Sequence, residues 1–458
     1  MGFLEKAKAY SKEKMITEIM SLLHKFSTKN VIRMISIGEK LTHDPEYKHN
    51  ARRMRELFEQ GHPAAILIKD VLNRLSPKCR DRLIKNLFIN AFLIGIDKRK
   101  KFLEEEGFQV PQFIVISPTM RCNLKCPGCY AGLYKLDEGL PFELIDRILT
   151  EGKELGMYFN TMSGGEAFTR KDIFDIWEKH NDVYFQVYTN GTMITEKVAD
   201  RIAELGNVAP MISLEGFEKE TDERRGKGTY AKVMKAMDYL KERGTVFGAS
   251  VTETRENIEL IASYEFVDMI LEKGVMVIWY FQYIPIGRCP SMDIMPTPEQ
   301  RDWLRKRVQE LRDSRPVFIG DFWNDGPHVK GCIAGGREYL HINSNGDVEP
   351  CVFCHFAVDN IKDKSLREVI NSPFMRGIRS HQPYRENLLT PCMLIDNPEI
   401  LRKVVKEFNA RPTCDGAEEL ITKFAEELDK YAVEYRKYAD PAWKKEWKKD
   451  DSEESIAV

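Results

Sequence analysis

No stretch in the first 110 residues of this chain is long and apolar enough to cross a bilayer. The longest run there, LFINAFLIGI from Leu87 to Ile96, is about half of the roughly twenty residues that a membrane span needs. A dominant charge is missing too. Lys and Arg number 69 against 71 Asp and Glu, the net charge is −2, and the pI is about 6.6. Without a basic field, bulk electrostatics gives no hold on nucleic acid, and no nucleic-acid partner is expected. The opening MGFLEKAKAYSKEK is too charged for a secretion signal and is followed by no cleavage site. A cytoplasmic location is the expectation, and thiols stay reduced there. The ten cysteines are therefore expected as metal ligands or catalytic groups rather than disulfides.

The 458 residues, 43% of them hydrophobic, suit two or three packed units. Residues 1–110 read as a helical N-terminal domain. Ile16, Ile19, Leu23 and Phe26 form a helical stripe, and His62-Pro63 and Ser76-Pro77 punctuate later segments. These apolar faces suit either a bundle packed on the rest of the chain, or a cover for a greasy substrate or a membrane surface.

From residue 111 short apolar runs alternate with helical stretches. Strands are expected near Phe113–Ser117, Tyr158–Ser163, Val183–Tyr188, Ala209–Leu214, Val246–Val251 and Val275–Tyr283. Helices are expected near 142–155, 171–180, 194–205, 229–242, 256–272 and 298–313. The last has a marked start, with Thr297 as cap, Pro298 in the first turn and Gln300 closing a capping box. Six strand–helix units predict an α/β core over 111–315, a partial (β/α)6 TIM-like barrel with chemistry at the C-terminal strand ends. Residues 316–415 hold a further cysteine group and a hairpin signal, YLHI followed by Asn345-Gly346 and DVEPC. In the last segment, 416–458, a charged helix is expected over 415–440, and the tail after Pro441 is expected to be solvated and partly disordered.

Cys122, Cys126 and Cys129 stand in TMRCNLKCPGCYAG, directly after the first expected strand. Three thiolates on one loop can hold three irons of a cubane cluster and leave the fourth open to a chelating small molecule. A zinc site or three unrelated thiols is the alternative. Zinc usually takes four ligands, and no partner pair lies nearby.

The spacing C-x3-C-x2-C after the first strand, opening six βα units, resembles the radical S-adenosylmethionine (SAM) superfamily. That resemblance implies a 4Fe–4S cluster on these cysteines whose open iron chelates SAM. It implies reductive cleavage to a 5′-deoxyadenosyl radical and hydrogen abstraction from an unactivated carbon. Ser163-Gly164-Gly165-Glu166 resembles the family's GGE segment, expected near the amino group of SAM, although Ala167 stands where proline is common. Asn190 ends the third strand. Ser213 and Glu215 resemble a ribose and carboxylate segment, and Arg225, with Arg224 as the alternative, is expected at the SAM carboxylate. Ile284-Pro285-Ile286-Gly287 is expected beside adenine.

Cys332, Gly346 and Cys351 resemble the opening of a SPASM/twitch extension, with Cys354 and Cys392 completing four ligands. The later C-x5-C-x3-C run of a full SPASM domain is missing, so one auxiliary iron–sulfur cluster is expected. A mononuclear iron or zinc on the same four ligands is the alternative, and Cys414 could replace one of them. Cys79 and Cys289 are read as structural, as are Tyr280, Tyr283 and His341. No catalytic acid or base is assigned.

The substrate is less sharply marked. ISPTMRCNLKCPGCYAG together with PCMLIDNPEILRKVV is similar to tetraether-synthase-like proteins and their bacterial relatives. That similarity implies coupling of lipid hydrocarbon chains, an apolar tunnel and peripheral membrane contact. Peptide or protein modification is the alternative, although the helical N-terminus lacks the winged-helix leader-binding module of many peptide maturases. A non-catalytic metal protein is the reading from a different class. Flavodoxin or ferredoxin is the reductant implied by the resemblance.

Overall fold

Strands form where β-branched and aromatic residues cluster between helical stripes. In the computed structural model, described over residues 28–41, 45–134 and 139–448, seven such runs pair in chain order. They are β1 (Phe113–Ile116), β2 (Phe159–Met162), β3 (Tyr184–Thr189), β4 (Val208–Leu214), β5 (Gly248–Glu253), β6 (Val277–Gln282) and β7 (Phe318–Asp321). Each is parallel to the next. The free edge of β1 receives β8 (Tyr339–Ile342), also parallel, and β8 pairs antiparallel with β9 (Val348–Glu349). The result is one open sheet of nine strands, ordered β7-β6-β5-β4-β3-β2-β1-β8-β9. Phe356–Ala357 and Arg411–Pro412 form a separate two-stranded pair.

The six expected strands are present, each within a few residues of its expected bounds. Two features differ. A seventh parallel strand follows the helix Pro298–Ser314, where the short run VFIGD carries too little pattern to stand out. The expected hairpin forms, but on the edge of the main sheet. All four residues of β8 are buried, so the strand covers an edge of β1 that would otherwise offer unpaired peptide groups.

Alternation along β5 and β6 gives the sheet two working faces. Ala249, Val251, Ile278 and Tyr280 are buried toward the helices, while Ser250, Thr252, Trp279 and Phe281 are only partly covered and face a cavity. The expected helix over 256–272 divides into Ile258–Ile261 and Tyr264–Glu272. Ser263 starts the second piece by accepting a hydrogen bond from Phe266 N at 3.1 Å. The helix Glu218–Arg225 has no counterpart in the expectation, because its eight residues are almost all charged and show no apolar stripe.

Ahead of the sheet, helices span Thr28–Leu41, Pro45–Gln60, Pro63–Arg74 and Pro77–Arg82. A wider-wound helix, Leu83–Ile94, follows, and then Gly95–Glu106. His62 and Ser76, at the expected break points, cap the helices that begin at Pro63 and Pro77. The stripe Ile16, Ile19, Leu23 and Phe26 lies outside the described residues. The C-terminal helix Ala425–Glu446 runs through Pro441 rather than ending there. Trp447 meets the ring of His328 at 5.1 Å, and Arg305 pairs with Glu446, so tertiary contacts hold this last stretch. The tail from residue 449 lies outside the described residues.

Candidate active site between two cysteine groups

The C-terminal ends of the parallel strands open onto a cavity of about 730 Å³. Cys122, Cys126 and Cys129 stand at its wall, and so do Cys332, Cys351 and Cys392. The two cysteine groups, distant in sequence, therefore share one chamber. The wall is mostly apolar, with Trp279, Phe281, Phe322, Trp323 and Phe353 among its aromatic members, and Leu57 and Leu67 reach in from the N-terminal helices. The apolar run Leu87–Ile96 does not line it.

The cysteine loop is held by close backbone approach. Gly165 N donates to Thr119 O at 2.9 Å and Glu166 N to Arg121 O at 2.8 Å. A Cβ on Gly165 would sit 2.3 Å from Arg121 O, so no larger residue fits there unless the backbone moves. Gly164, at φ +99°, is equally constrained against Thr119 O. Both glycines line the cavity, whereas the Glu166 side chain is buried behind it. Its carboxylate accepts from Phe168 N (3.2 Å), Thr189 Oγ1 (2.9 Å) and Asn190 N (2.8 Å). Glu166 thus ties the GGE turn to the end of β3. Burial nevertheless raises its pKa, with these hydrogen bonds opposing. Asn190 lines the cavity, its Nδ2 donating to Asn123 Oδ1 at 2.8 Å and lying 3.7 Å from Cys122 Sγ.

Ser213 faces the cavity as well. Glu215 is buried; its Oε1 accepts Arg225 Nε at 2.7 Å and lies within ion-pair distance of Arg225 Nη2 (2.5 Å) and Arg224 Nη1 (2.7 Å), while its Oε2 has no hydrogen-bond partner among the described residues. Both guanidiniums line the cavity. Two cations against one carboxylate leave a positive surplus beside the thiols, as an anionic ligand set requires. Burial pushes the Cys129 thiol up and Cys126 adds to this, while Arg224 and Arg225 pull it down. A bound cation would reverse the effect of burial, because a coordinating thiol is deprotonated outright.

Arg288 is a residue that sequence reasoning missed. It follows Gly287, accepts Gly128 N on its own carbonyl at 2.9 Å, and donates through Nη1 to Cys126 O at 3.2 Å. Arg224 also reaches the loop, donating to Pro127 O at 3.3 Å. Gly287, expected near adenine, packs so closely that a Cβ would lie 2.1 Å from Cys129 O. A basic residue directly after the IPIG turn was the available signal. Tyr130 was also missed. Its hydroxyl shares a 2.5 Å hydrogen bond with Ser163 Oγ, and its ring meets Phe353 at 5.4 Å.

The second cysteine group sits in more apolar surroundings. Cys351 and Cys354 are buried, and Cys332 and Cys392 are partly so. Tyr339 donates its hydroxyl to Cys351 Sγ at 2.9 Å, and burial pushes that thiol up to about 12. Cys392 Sγ accepts from Leu394 N at 3.3 Å. Cys414 stands apart from the four and pairs with His355 Nδ1 at 3.1 Å. A buried chain joins the two regions. His341 Nδ1 meets Glu349 Oε2 at 2.6 Å, and its Nε2 meets Ser117 Oγ at 2.7 Å. Assigned from this network, His341 Nδ1 donates to the carboxylate, which can only accept. Glu349 Oε1 also takes Tyr134 O–H at 2.8 Å, from the segment after Cys129.

Among the described residues no three Cys, His, Asp or Glu side chains converge on a point that could hold a single metal ion. Three soft thiols on one loop and three more at the chamber wall, with Cys354 buried beside Cys351, glycines against the first loop and guanidinium charge, form a donor set of the kind iron–sulfur clusters use.

Comparison with known families decides the identity. The family described as Radical SAM superfamily matches residues 116–267, and the iron–sulfur cluster-binding SPASM domain matches residues 332–393. The chain is a radical SAM enzyme with a SPASM domain. Its cofactors are SAM, the 4Fe–4S cluster that binds it, and auxiliary iron–sulfur. The PqqA peptide cyclase of Granulibacter bethesdensis is 26% identical, over 63% of this chain and 81% of the relative. The mycofactocin maturase MftC of Mycolicibacterium smegmatis is 29% identical, over 63% and 74%. An AdoMet-dependent heme synthase of Methanosarcina barkeri is 25% identical, over 59% and 85%. In fold, the radical SAM enzyme resembles Streptococcus suis SuiB bound to S-adenosylmethionine, with TM-score 0.54, 20% identity, and coverage of 66% of this chain and 76% of that one. Among the described residues no helix is long and apolar enough to cross a membrane.

Proposed function

We propose that the radical SAM enzyme modifies a peptide at an apolar residue, using Cys122, Cys126 and Cys129 to hold the SAM-binding cluster and Cys332, Cys351, Cys354 and Cys392 to hold one auxiliary cluster. When bound, cluster and SAM together supply a 5′-deoxyadenosyl radical able to take hydrogen from an unactivated carbon. The observation that carries the proposal is the single chamber onto which both cysteine groups open.

In this reading Gly164 and Gly165 let the backbone approach SAM, and Asn190 and Ser213 line its site. Arg225, supported by Arg224 and oriented by Glu215, offers its guanidinium to the SAM carboxylate. Glu166 acts at one remove, by holding the end of β3 against the GGE turn. Trp279, Phe281, Phe322 and Trp323 exclude water from the reacting carbon, and a dry chamber protects a radical from side reactions. Flavodoxin or ferredoxin would supply the electron.

Peptide chemistry is favoured because the relatives include a peptide cyclase, beside a mycofactocin maturase, and SuiB is also known bound to the precursor peptide SuiA. Coupling of hydrocarbon chains, expected from sequence, has no counterpart among the relatives described above. It is kept as the second reading on one observation, the apolar walls of the chamber, and it would bring the enzyme to a membrane surface.

One experiment separates these readings. The protein is expressed anaerobically, wild type beside C122A/C126A/C129A, and host peptides and lipids are compared by mass spectrometry. A peptide lighter by two hydrogens only with the wild type supports the first reading. Altered acyl chains with unchanged peptides overturn it in favour of the second. No 5′-deoxyadenosine from reconstituted enzyme with SAM and dithionite overturns both.

A further inference from the structure

Arg301 has 0% side-chain exposure, as has its partner Asp396. Arg301 Nη1 donates to Asp396 Oδ1 at 2.6 Å and Nη2 to Oδ2 at 3.2 Å, a two-pronged pair. The same Asp396 accepts the backbone N–H of Cys392 on Oδ2 at 3.0 Å, and its own N–H returns to Cys392 O at 3.1 Å. The turn that presents Cys392 is thus closed on a carboxylate whose charge is balanced by one arginine. That arginine is fixed from two other directions. Its Nε donates to Asn324 Oδ1 at 3.1 Å, just beyond β7. Its plane lies 3.8 Å over the ring of Tyr435, on the C-terminal helix. Tyr435 O–H donates to the same Asn324 oxygen at 3.2 Å, and Arg436 donates to Asp396 O at 3.0 Å.

A buried charge pair of this kind is costly to desolvate and is a weak source of stability, so specificity is the better account of it. We propose that Arg301 is a positioning residue for Cys392, and that through it the C-terminal helix belongs to the auxiliary centre. The inference rests on the reading of Cys392 as an auxiliary ligand. Lysine cannot replace arginine here, since a single ammonium cannot span the carboxylate and Asn324 while stacking on Tyr435.

The test uses full-length C122A/C126A/C129A protein, in which the auxiliary cluster is the one expected to remain. Iron per chain, the rate of iron loss to a chelator, and the electron paramagnetic resonance (EPR) spectrum of the reduced cluster are read for added R301K, R301M, Y435L and C392A. Circular dichroism reports folding. C392A and R301M are expected to lose most of the iron. R301K and Y435L are expected to keep the fold but lose iron to the chelator severalfold faster, with shifted g-values that a remote structural change would leave alone. If R301M does not fold, R301K and Y435L carry the test. Iron content, chelation rate and g-values like the parent's in both of these overturn the proposal. If C392A alone loses iron, the ligand reading stands and the role of Arg301 falls. If C392A keeps its iron, the ligand reading itself fails.

Discussion

The two cysteine groups solve the same chemical problem in opposite ways. Cys122, Cys126 and Cys129 lie within one turn-rich loop, with charged and polar neighbours: Arg224, Arg225, Asn190 and, behind them, Glu166. Cys332, Cys351, Cys354 and Cys392 come from three separate segments and sit against Tyr339, Phe353 and a buried ion pair. The first site is local in sequence and open on one side to a polar ligand. The second is assembled by tertiary structure and lies among aromatic side chains at the wall of the same cavity. A site that must admit a zwitterion keeps guanidiniums at its wall, whereas a site that needs only protein ligands can be packed dry.

Replacing all three loop cysteines tests the contrast most severely. C122A/C126A/C129A is expected to abolish 5′-deoxyadenosine formation, measured by chromatography, while keeping roughly half of the bound iron on the auxiliary group. Loss of all the iron would mean that the two sites are not independent. Gly165→Ala comes next. A Cβ that close to Arg121 O must displace the loop, so SAM-site iron and SAM cleavage are expected to fall at least about tenfold, with auxiliary iron unchanged. Arg225→Met removes one of two guanidiniums. Calorimetry is expected to show SAM binding weakened about 10- to 100-fold, again with full auxiliary iron. An unchanged affinity would transfer the carboxylate role to Arg224.

The smallest effect concerns the scaffold behind the cavity, where Glu253 is fully buried and neither carboxylate oxygen has a hydrogen-bond partner among the described residues. Burial holds its pKa well above the usual carboxylate range, the charge of Asp321 adds to this, and Arg301 opposes it. The folded state therefore keeps a proton that the unfolded chain releases near its ordinary pKa of about 4.3. Stability contributed by this group is present below that pH and is lost as pH rises above it. Glu253→Gln is expected to raise the thermal midpoint by about 2–4 °C at pH 7.5 and by less at pH 5, as followed by calorimetry. An equal rise at both pH values would show that the gain comes from packing rather than from the charge.

Much of the catalytic face was legible because its signals are local. The C-x3-C-x2-C loop, the GGE turn and the capped helix at Pro298 each occupy a few consecutive residues whose chemistry dictates their shape. Features that depend on distant partners stayed hidden. Nothing around VFIGD announces β7, and nothing in YLHI says that it will cover β1 rather than stand in a unit of its own. The helix running past Pro441 depends on Arg305 and His328. Arg288 and Arg301 carry no motif, since an arginine's function is set by which carbonyl or carboxylate the fold brings within reach.

By itself the sequence determined the parallel α/β plan and the loop that offers three thiolates, the two features that carry the resemblance to the radical SAM superfamily. These depend on periodicity and on short spacings, which the chain expresses without help from remote residues. Tertiary structure alone decided that both cysteine groups open onto one aromatic chamber, that Glu166 braces the site from behind, and that Arg224 and Arg225 share Glu215. Those outcomes require separate segments to meet, 10 residues apart for Glu215 and Arg225, 24 for Glu166 and Asn190, and about two hundred for the two cysteine groups, and the burial that drives such meetings is non-directional, so it leaves no local signature to read.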